Sequence, residues 1–488
     1  MKLKYLLLFA ITAFNTLSYG QTKPNIVLFF VDDFGQRDLS CYGSTFYETP
    51  NMDRLANDGV RFTDAYVSFP RCVPSRKALL SGKYHFRTPE KTNGHYMPLE
   101  EETFGEALKE GGYNTCYIGK WHLGSTGGEP NAQGFDTAIH TGKAGGPGQK
   151  GWYFPGSSTM KVINPVQGKE GDYLTDMLTK EAVNYIDQKA KESKPFLMVM
   201  AHYAVHDPIR APKETSDKYK EKLKKLGIKP GGAGKEHDQK LDHKGMFKTE
   251  QNNPTYAAMI EKADNSLGRI LDKINEEQIE NETVVILISD HGGLSSRGIT
   301  SHREMATSNL PLRHGKGHVY EGGLRIPMIV KYPGVTKKGT ISEVQVTSTD
   351  HYPTLLEIAG LPLKPEQHSD GVSYLKALKG KKYQRDGMLF FKDDSRTQST
   401  GDTGGIAYTE GDYKVIDWIE EGHVSLYNIK EDIGEQNDLA AKMPRKVKKL
   451  LCKMKAVEGE RGVIRRKQMV DYFAKGGFAG AKKRDPSH

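Results

Sequence analysis

Four short runs with almost no polar residue in them, at residues 26–31, 196–200, 284–289 and 328–331, constrain this chain more than any other feature. A strand with one wet face alternates apolar and polar side chains, whereas an unbroken apolar run fits a strand covered on both faces. Residues 105–111, 181–193 and 256–274 carry helical spacing. Strands alternating with helices predict an α/β core, a mostly parallel sheet between helical layers. Polar residues stand directly after the runs: Asp32 and Asp33 after the first, His202 and His206 after the second, Asp290 and His291 after the third. Ligands of open α/β sheets gather outside the carboxyl ends of the strands, so these groups are expected to meet at one site.

At 488 residues the chain exceeds what one growing core accommodates. A large domain over residues 21–375 and a smaller C-terminal α+β subdomain over 376–488 are expected. The latter would hold an antiparallel sheet from segments 412–417 and 424–427 and a basic helix from 444 to about 458. The glycine-rich stretch 142–156 and the lysine-rich stretch 213–250 read as loops or insertions that either shape a cleft or lie solvated. Residues 1–20 have the layout of a secretory signal peptide, with Lys2 and Lys4 ahead of an apolar stretch and Ser18-Tyr19-Gly20 behind it. Export to the periplasm or beyond is expected. The apolar stretch is shorter than the ~20 residues that cross a bilayer, so stable membrane insertion is not.

The formal charge of +9, from 70 Lys and Arg against 61 Asp and Glu, suits a polyanionic partner such as a sulfated polysaccharide. Basic clusters such as Arg465-Arg466-Lys467 lack the interleaved aromatic residues of single-strand binding, so nucleic acid is not expected. Cys41, Cys116 and Cys452 are scattered and read as buried free thiols. Cys72 is set apart by its surroundings.

Cys72-Val73-Pro74-Ser75-Arg76 is followed by Gly112-Tyr113-Asn114-Thr115-Cys116-Tyr117-Ile118-Gly119-Lys120-Trp121-His122, then by Ser289-Asp290-His291-Gly292 and Gly315-Lys316-Gly317. In these motifs and their order the chain resembles the type I, formylglycine-dependent sulfatases, in particular bacterial polysaccharide-active ones. The resemblance runs from Pro24 to Asn428. It implies an alkaline-phosphatase-like fold with a large mixed sheet flanked by helices. It also implies one bound Ca2+ and conversion of Cys72 to 3-oxoalanine (formylglycine) by a formylglycine-generating or anaerobic maturing enzyme. The implied metal site is Asp32, Asp33, Cys72, Asp290 and His291, with His291 where the family more often has Asn or Gln. Arg76 and Lys120 would hold the modified side chain. His122 would be the base that releases sulfate, and Lys120, His206 and Lys316 would contact the sulfate or its leaving oxygen.

These roles match what the reaction demands. A sulfate monoester is hindered and anionic, so its hydrolysis needs a strong nucleophile, neutralising cations and a proton for the leaving oxygen. Aspartates are hard oxygen donors suited to calcium, while imidazole nitrogen is a softer donor, leaving magnesium or a transition metal as alternatives. His202 reads either as a packed core residue or as a substrate contact, His314 and His318 as residues facing the sugar, and Arg325 as a fold residue. The expected activity is hydrolysis of sulfate esters in a sulfated polysaccharide or its oligosaccharides, an algal polymer such as ulvan among them. A phosphonate or phosphodiester hydrolase and a catalytically inactive glycan-binding protein are the alternatives.

Overall fold

The computed structural model describes residues 23–88, 96–124, 127–231, 237–242, 245–395 and 398–474. The expected signal peptide lies outside the described residues. Along the chain the strands are β1 (Asn25–Val31), β2 (Val60–Tyr66), β3 (Asn114–Gly119), β4 (Thr137–Ile139), β5 (Phe196–Ala201), β6 (Gln239–Asp242), β7 (Gly245–Lys248) and β8 (Thr283–Ser289). They continue with β9 (Ser296–Gly298), β10 (Arg325–Lys331), β11 (Thr340–Ser342), β12 (Val346–Thr347), β13 (Met388–Lys392), β14 (Gly405–Glu410), β15 (Tyr413–Trp418) and β16 (His423–Asn428).

The four apolar runs all enter one sheet, of order β11-β2-β10-β8-β1-β5-β3-β4 with β12 beside β2. Its pairings are parallel except those of β10, which runs antiparallel to both β2 and β8, so the sheet is mixed. Side-chain alternation explains the unbroken apolar sequence of β1. Ile26, Leu28 and Phe30 enter one core, while Val27, Phe29 and Val31 enter the other. The strands β5 and β8 divide in the same way. Each large apolar side chain withdrawn from water contributes about 1.5–3 kcal/mol, which sets the register against a one-residue slip.

Helices Cys72–Ser81, Phe104–Glu110 and His351–Ile358 cover the first face, and Pro50–Asp58, Leu174–Lys189, Lys213–Leu226 and Pro254–Glu276 the second. The helix expected over 256–274 starts at Pro254, because the Asn253 side chain accepts the N–H groups of Thr255 and Tyr256. The one expected over 181–193 spans Leu174–Lys189, since Leu174, Met177 and Leu178 extend its buried stripe toward the N-terminus. The lysine-rich stretch departs from the loop expected of it. It folds into helix Lys213–Leu226, ended by left-handed Gly227, and the hairpin β6–β7, which pairs with β9. Tyr219 and Leu223, one turn apart, dock that helix on the second core.

The expected antiparallel sheet has the order β13-β14-β15-β16. One of its faces, with Leu389, Phe391, Ile406 and Val415, packs on Leu450, Met454 and Met469 of helix Pro444–Ala474. The other face, with Met388, Phe390, Ala407 and Ile416, joins the first core. The last helix is longer than expected. It kinks at Gly459 (φ 62°, ψ −169°), next to the expected end at 458, and continues as a second segment. All four cysteines are free; Cys116 is buried and Cys41 partly buried. Cys452, expected to be buried, is exposed on the solvent side of that helix.

Candidate active site

Because β3, β5, β1 and β8 are parallel neighbours, the residues that follow them leave the sheet at one edge. Asp32, Asp33, Lys120, Asp290 and His291 are all 0 % exposed there, a concentration of charge that packing alone does not explain. Asp33 is left-handed (φ 58°), and its N–H donates to Asp290 Oδ1 at 3.1 Å, tying two strand ends together.

Cys72 is the first residue of helix Cys72–Ser81, and Arg76 follows one turn later on the same face. Arg76 spans the site. Its Nε and Nη2 donate to Asp290 Oδ2 (3.2 and 3.1 Å), and Nη1 donates to the Lys120 carbonyl (2.7 Å). Lys120 Nζ donates to Asp32 Oδ2 (2.5 Å) and lies 3.4 Å from Cys72 Sγ. Lys316 Nζ donates to both oxygens of Asp33 (2.6 and 2.8 Å) and lies 3.7 Å from the same sulfur. His291 Nε2 is 3.2 Å from it. Burial opposes ionisation of the Cys72 thiol, but Lys120, Lys316 and His291 outweigh it and hold the pKa well below the ordinary value.

His206 Nε2 lies 3.1 Å from Lys316 Nζ and 3.8 Å from Asp33 Oδ2. Burial disfavours its charge more than any single neighbour favours it, yet the surrounding carboxylates, Asp33 first and Asp32 with it, together push its pKa up to about 10. At His122, burial prevails over a hydrogen bond with Cys72 and pulls the pKa down to about 4, leaving a neutral imidazole able to accept a proton. The glycine-rich stretch closes over both rings. A Cβ on Gly145 would lie 2.5 Å from His122 Cε1, and one on Gly146 3.0 Å from His206 Nδ1. Cys72, His122, His206 and Lys316 thus line a cleft of about 670 Å³.

Three residues expected at the substrate, His202, His314 and His318, are not brought there; His318 is buried with Nε2 3.0 Å from the Thr400 carbonyl. His202 is fully buried on the second core face, with Nε2 2.8 Å from Ser266 Oγ and its ring edge-on to Phe29. Its alternative reading as a packed core residue is the one the structure supports. His314 is also buried, held by Asp242 (3.0 Å) and Ser296 (3.0 Å) and stacked 4.0 Å from His318, so the pair braces the loop that carries Lys316. Arg325 bridges Glu321 and Asp64, a fold role as expected.

Sequence reasoning missed the upper walls of the cleft, where Arg71, Asp207, Arg303, Asp393, Asp394 and Arg465 stand. Arg303 pairs with Asp207 (3.0 Å), Arg465 with Asp393 (2.7 Å), and Arg71 with Asp402 (2.6 Å) and Asp394 (3.2 Å). Asp207 follows His206 directly, and Arg465 belongs to the basic cluster read as a surface feature. Those were the available signals.

The donor set fits a cation. One ligand atom from each of Asp32, Cys72, Asp290 and His291 lies within 4.8 Å of all the others. His291 Nδ1 is 3.0 Å from the Gly292 carbonyl, which can only accept, so Nδ1 carries a hydrogen. Nε2 then points at Asp33 Oδ1 (3.2 Å) and Asp290 Oδ1 (3.5 Å). In the neutral ring this turns the Nε2 lone pair into the carboxylate cluster, where a cation would accept it. Burial and the neighbouring Asp290 push the Asp32 pKa well up, in spite of Lys120, a cost that a cation would relieve.

A sequence model described as sulfatase matches residues 24–361, and one described as N-sulphoglucosamine sulphohydrolase, C-terminal, matches residues 313–458. A sulfatase of Formosa agariphila is 30% identical over 536 residues, covering 91% of this chain and 90% of that protein. The N-acetylgalactosamine-6-sulfatase of Canis lupus familiaris is 29% identical, covering 81% of this chain and 72% of its own. Among solved structures, Ps i-CgsB in complex with k-i-k-neocarrahexaose superposes with a TM-score of 0.72 at 26% identity, covering 95% of this chain and 100% of that one.

Proposed function

Since the chain belongs to the sulfatase family, and with it to the sulfuric ester hydrolases, we propose that it removes sulfate ester groups from a sulfated polysaccharide or its oligosaccharides, using a nucleophile made from Cys72. The observation that carries this proposal is the place of Cys72 Sγ, 3.2 to 3.7 Å from His291, Lys120, Asp32 and Lys316 in a cleft. Oxidised to an aldehyde and hydrated, that side chain supplies two hydroxyls, one to attack sulfur and one to expel sulfate. The rest of the chemistry falls to unmodified residues. Arg76 and Lys120 orient position 72 and offset negative charge around it. Lys316 neutralises a sulfate oxygen, and His206 gives a proton to the leaving sugar oxygen. His122 takes up the proton lost at position 72 when sulfate departs. Asp32, Asp33, Asp290 and His291 would hold a divalent cation, calcium by the preference of three carboxylates, which supplies positive charge for the sulfate.

A carbohydrate substrate is supported by the names of the relatives, which include an N-acetylgalactosamine-6-sulfatase and a protein bound to neocarrahexaose. The basic chain suits a polyanion, and an algal polymer such as ulvan belongs to this class. The layout of residues 1–20 supports export to the periplasm or beyond. Among the described residues, no helix is long and apolar enough to cross a membrane.

The test is sulfate release from a panel of carrageenan, ulvan, fucan and glycosaminoglycan oligosaccharides, after co-expression with a formylglycine-generating enzyme. Release from at least one class is expected, together with the mass loss of thiol-to-aldehyde conversion in the Cys72 peptide. Binding without release, or an intact thiol in active protein, would overturn the proposal.

A further inference from the structure

His206 leaves β5 on a loop, so its ring orientation needs a support of its own. Nδ1 faces Asp207, with Oδ1 at 3.0 Å and the Asp207 carbonyl at 2.5 Å. Both atoms accept from an imidazole, so Nδ1 carries a hydrogen and Nε2 is turned toward Lys316 and the cleft. Asp207 is itself clamped. Arg303 grips it as a fork, Nε donating to Oδ2 (3.2 Å) and Nη2 to Oδ1 (3.0 Å), while the Arg303 N–H donates to Ser301 Oγ (3.1 Å). Gly146 closes on the ring from the glycine-rich loop. An ion pair at the mouth of a cleft would by itself stabilise little. What sets this one apart is its third partner.

We propose that Asp207, buttressed by Arg303, is a positioning residue that aims His206 Nε2 at the leaving oxygen of the sulfate ester. This rests on the general-acid role given to His206 above. In that step the bond from sulfur to the sugar oxygen breaks, and its electron pair stays on the oxygen. The proton on Nε2 moves to that oxygen while Nδ1–H stays with Asp207, and the ring regains a proton from water. A ring released from Asp207 would leave Lys316 alone beside the leaving group.

The experiment compares the mature wild type with Asp207→Asn and Arg303→Lys on phenyl sulfate and on 4-nitrophenyl sulfate, whose leaving group needs less protonation. Thermal melting confirms that both variants are folded. Asp207→Asn is expected to lower kcat about 10- to 100-fold on phenyl sulfate with KM within about twofold, and only about threefold on 4-nitrophenyl sulfate. Arg303→Lys, which keeps the charge and loses the two-point grip, should show the same dependence on leaving group with a smaller loss, and an effect equal on both esters would count against the buttress. In parallel, nitrogen NMR of 15N-histidine protein, with His206→Ala to assign the signal, should show Nδ1–H of His206 in the wild type and its loss or exchange broadening in Asp207→Asn. Equal losses on both esters, or an unchanged His206 signal, would overturn the proposal. The NMR arm does not depend on turnover, so an enzyme silent on both esters would count against the activity while the clamp is still decided.

Discussion

The floor and the rim of the cleft are both crowded with charge, yet they are organised differently. At the floor, Asp32, Asp33 and Asp290 face Arg76, Lys120 and Lys316 around one sulfur, on strand ends and a helix start fixed by the large sheet. At the rim, Arg303 closes on Asp207 and Arg465 on Asp393, from loops and the last helix. Charges that converge on a point are arranged for something that arrives there. Charges that cancel in pairs shape a wall. The floor is therefore expected to govern rate, together with the one rim pair that touches His206, Asp207 with Arg303, and the rest of the rim affinity and the choice of sugar.

The sharpest separation comes from Cys72→Ala, which should abolish sulfate release while thermal melting stays within a few degrees of wild type. Residual turnover would remove the floor's central atom from the reaction. Next comes removal of the metal. EGTA should lower activity at least about 100-fold and reduce the melting temperature, since a ligand bound only by the folded state stabilises it, and calcium should restore both. Indifference of activity and melting to the chelator would mean that the carboxylates balance their charge without a metal. At the rim, Arg465→Ala should raise KM about five- to tenfold and leave kcat within about twofold. A collapse of kcat would erase the distinction between wall and floor.

The smallest effect on activity belongs to His202, which faces the opposite side of the sheet. Burial pulls its pKa down to about 3, so the folded state resists a proton that the unfolded chain accepts below about 6.5. The unfolded state then binds more protons in that window. The stability contribution is full above about pH 6.5 and is lost as pH falls toward 3, by about 3 kcal/mol at pH 4. His202→Gln should flatten this acid limb in denaturant titrations and leave sulfate release within about twofold. A large loss of activity would return His202 to the cleft.

The comparison also shows what the amino-acid sequence made legible. An unbroken apolar run followed by carboxylates leaves one low-energy arrangement, a doubly covered strand whose charged end meets a ligand, and β1 and β8 follow it. His202 and His206 were harder to tell apart. They share one segment, and which face each ring takes depends on where the loop turns after β5, a tertiary matter. Helix Lys213–Leu226 was hidden because its many lysines outnumber the two buried anchors, Tyr219 and Leu223. The rim pairs join residues 96 positions apart for Arg303 with Asp207 and 72 for Arg465 with Asp393, so nothing local announced them.

Gly459 carries a consequence for that rim. A Cβ there would meet only Arg87 Nη1 at 3.5 Å, so the position has room for a side chain but not, at φ 62° and ψ −169°, the backbone for one. Beyond it runs a rod of about 20 Å, at ~1.5 Å per residue, which brings Arg465 to the mouth of the cleft. Straightened into one continuous helix, the rod would swing that side chain away from the opening. Gly459 thus acts as a fulcrum: one backbone position outside the cleft fixes where Arg465 stands in its wall.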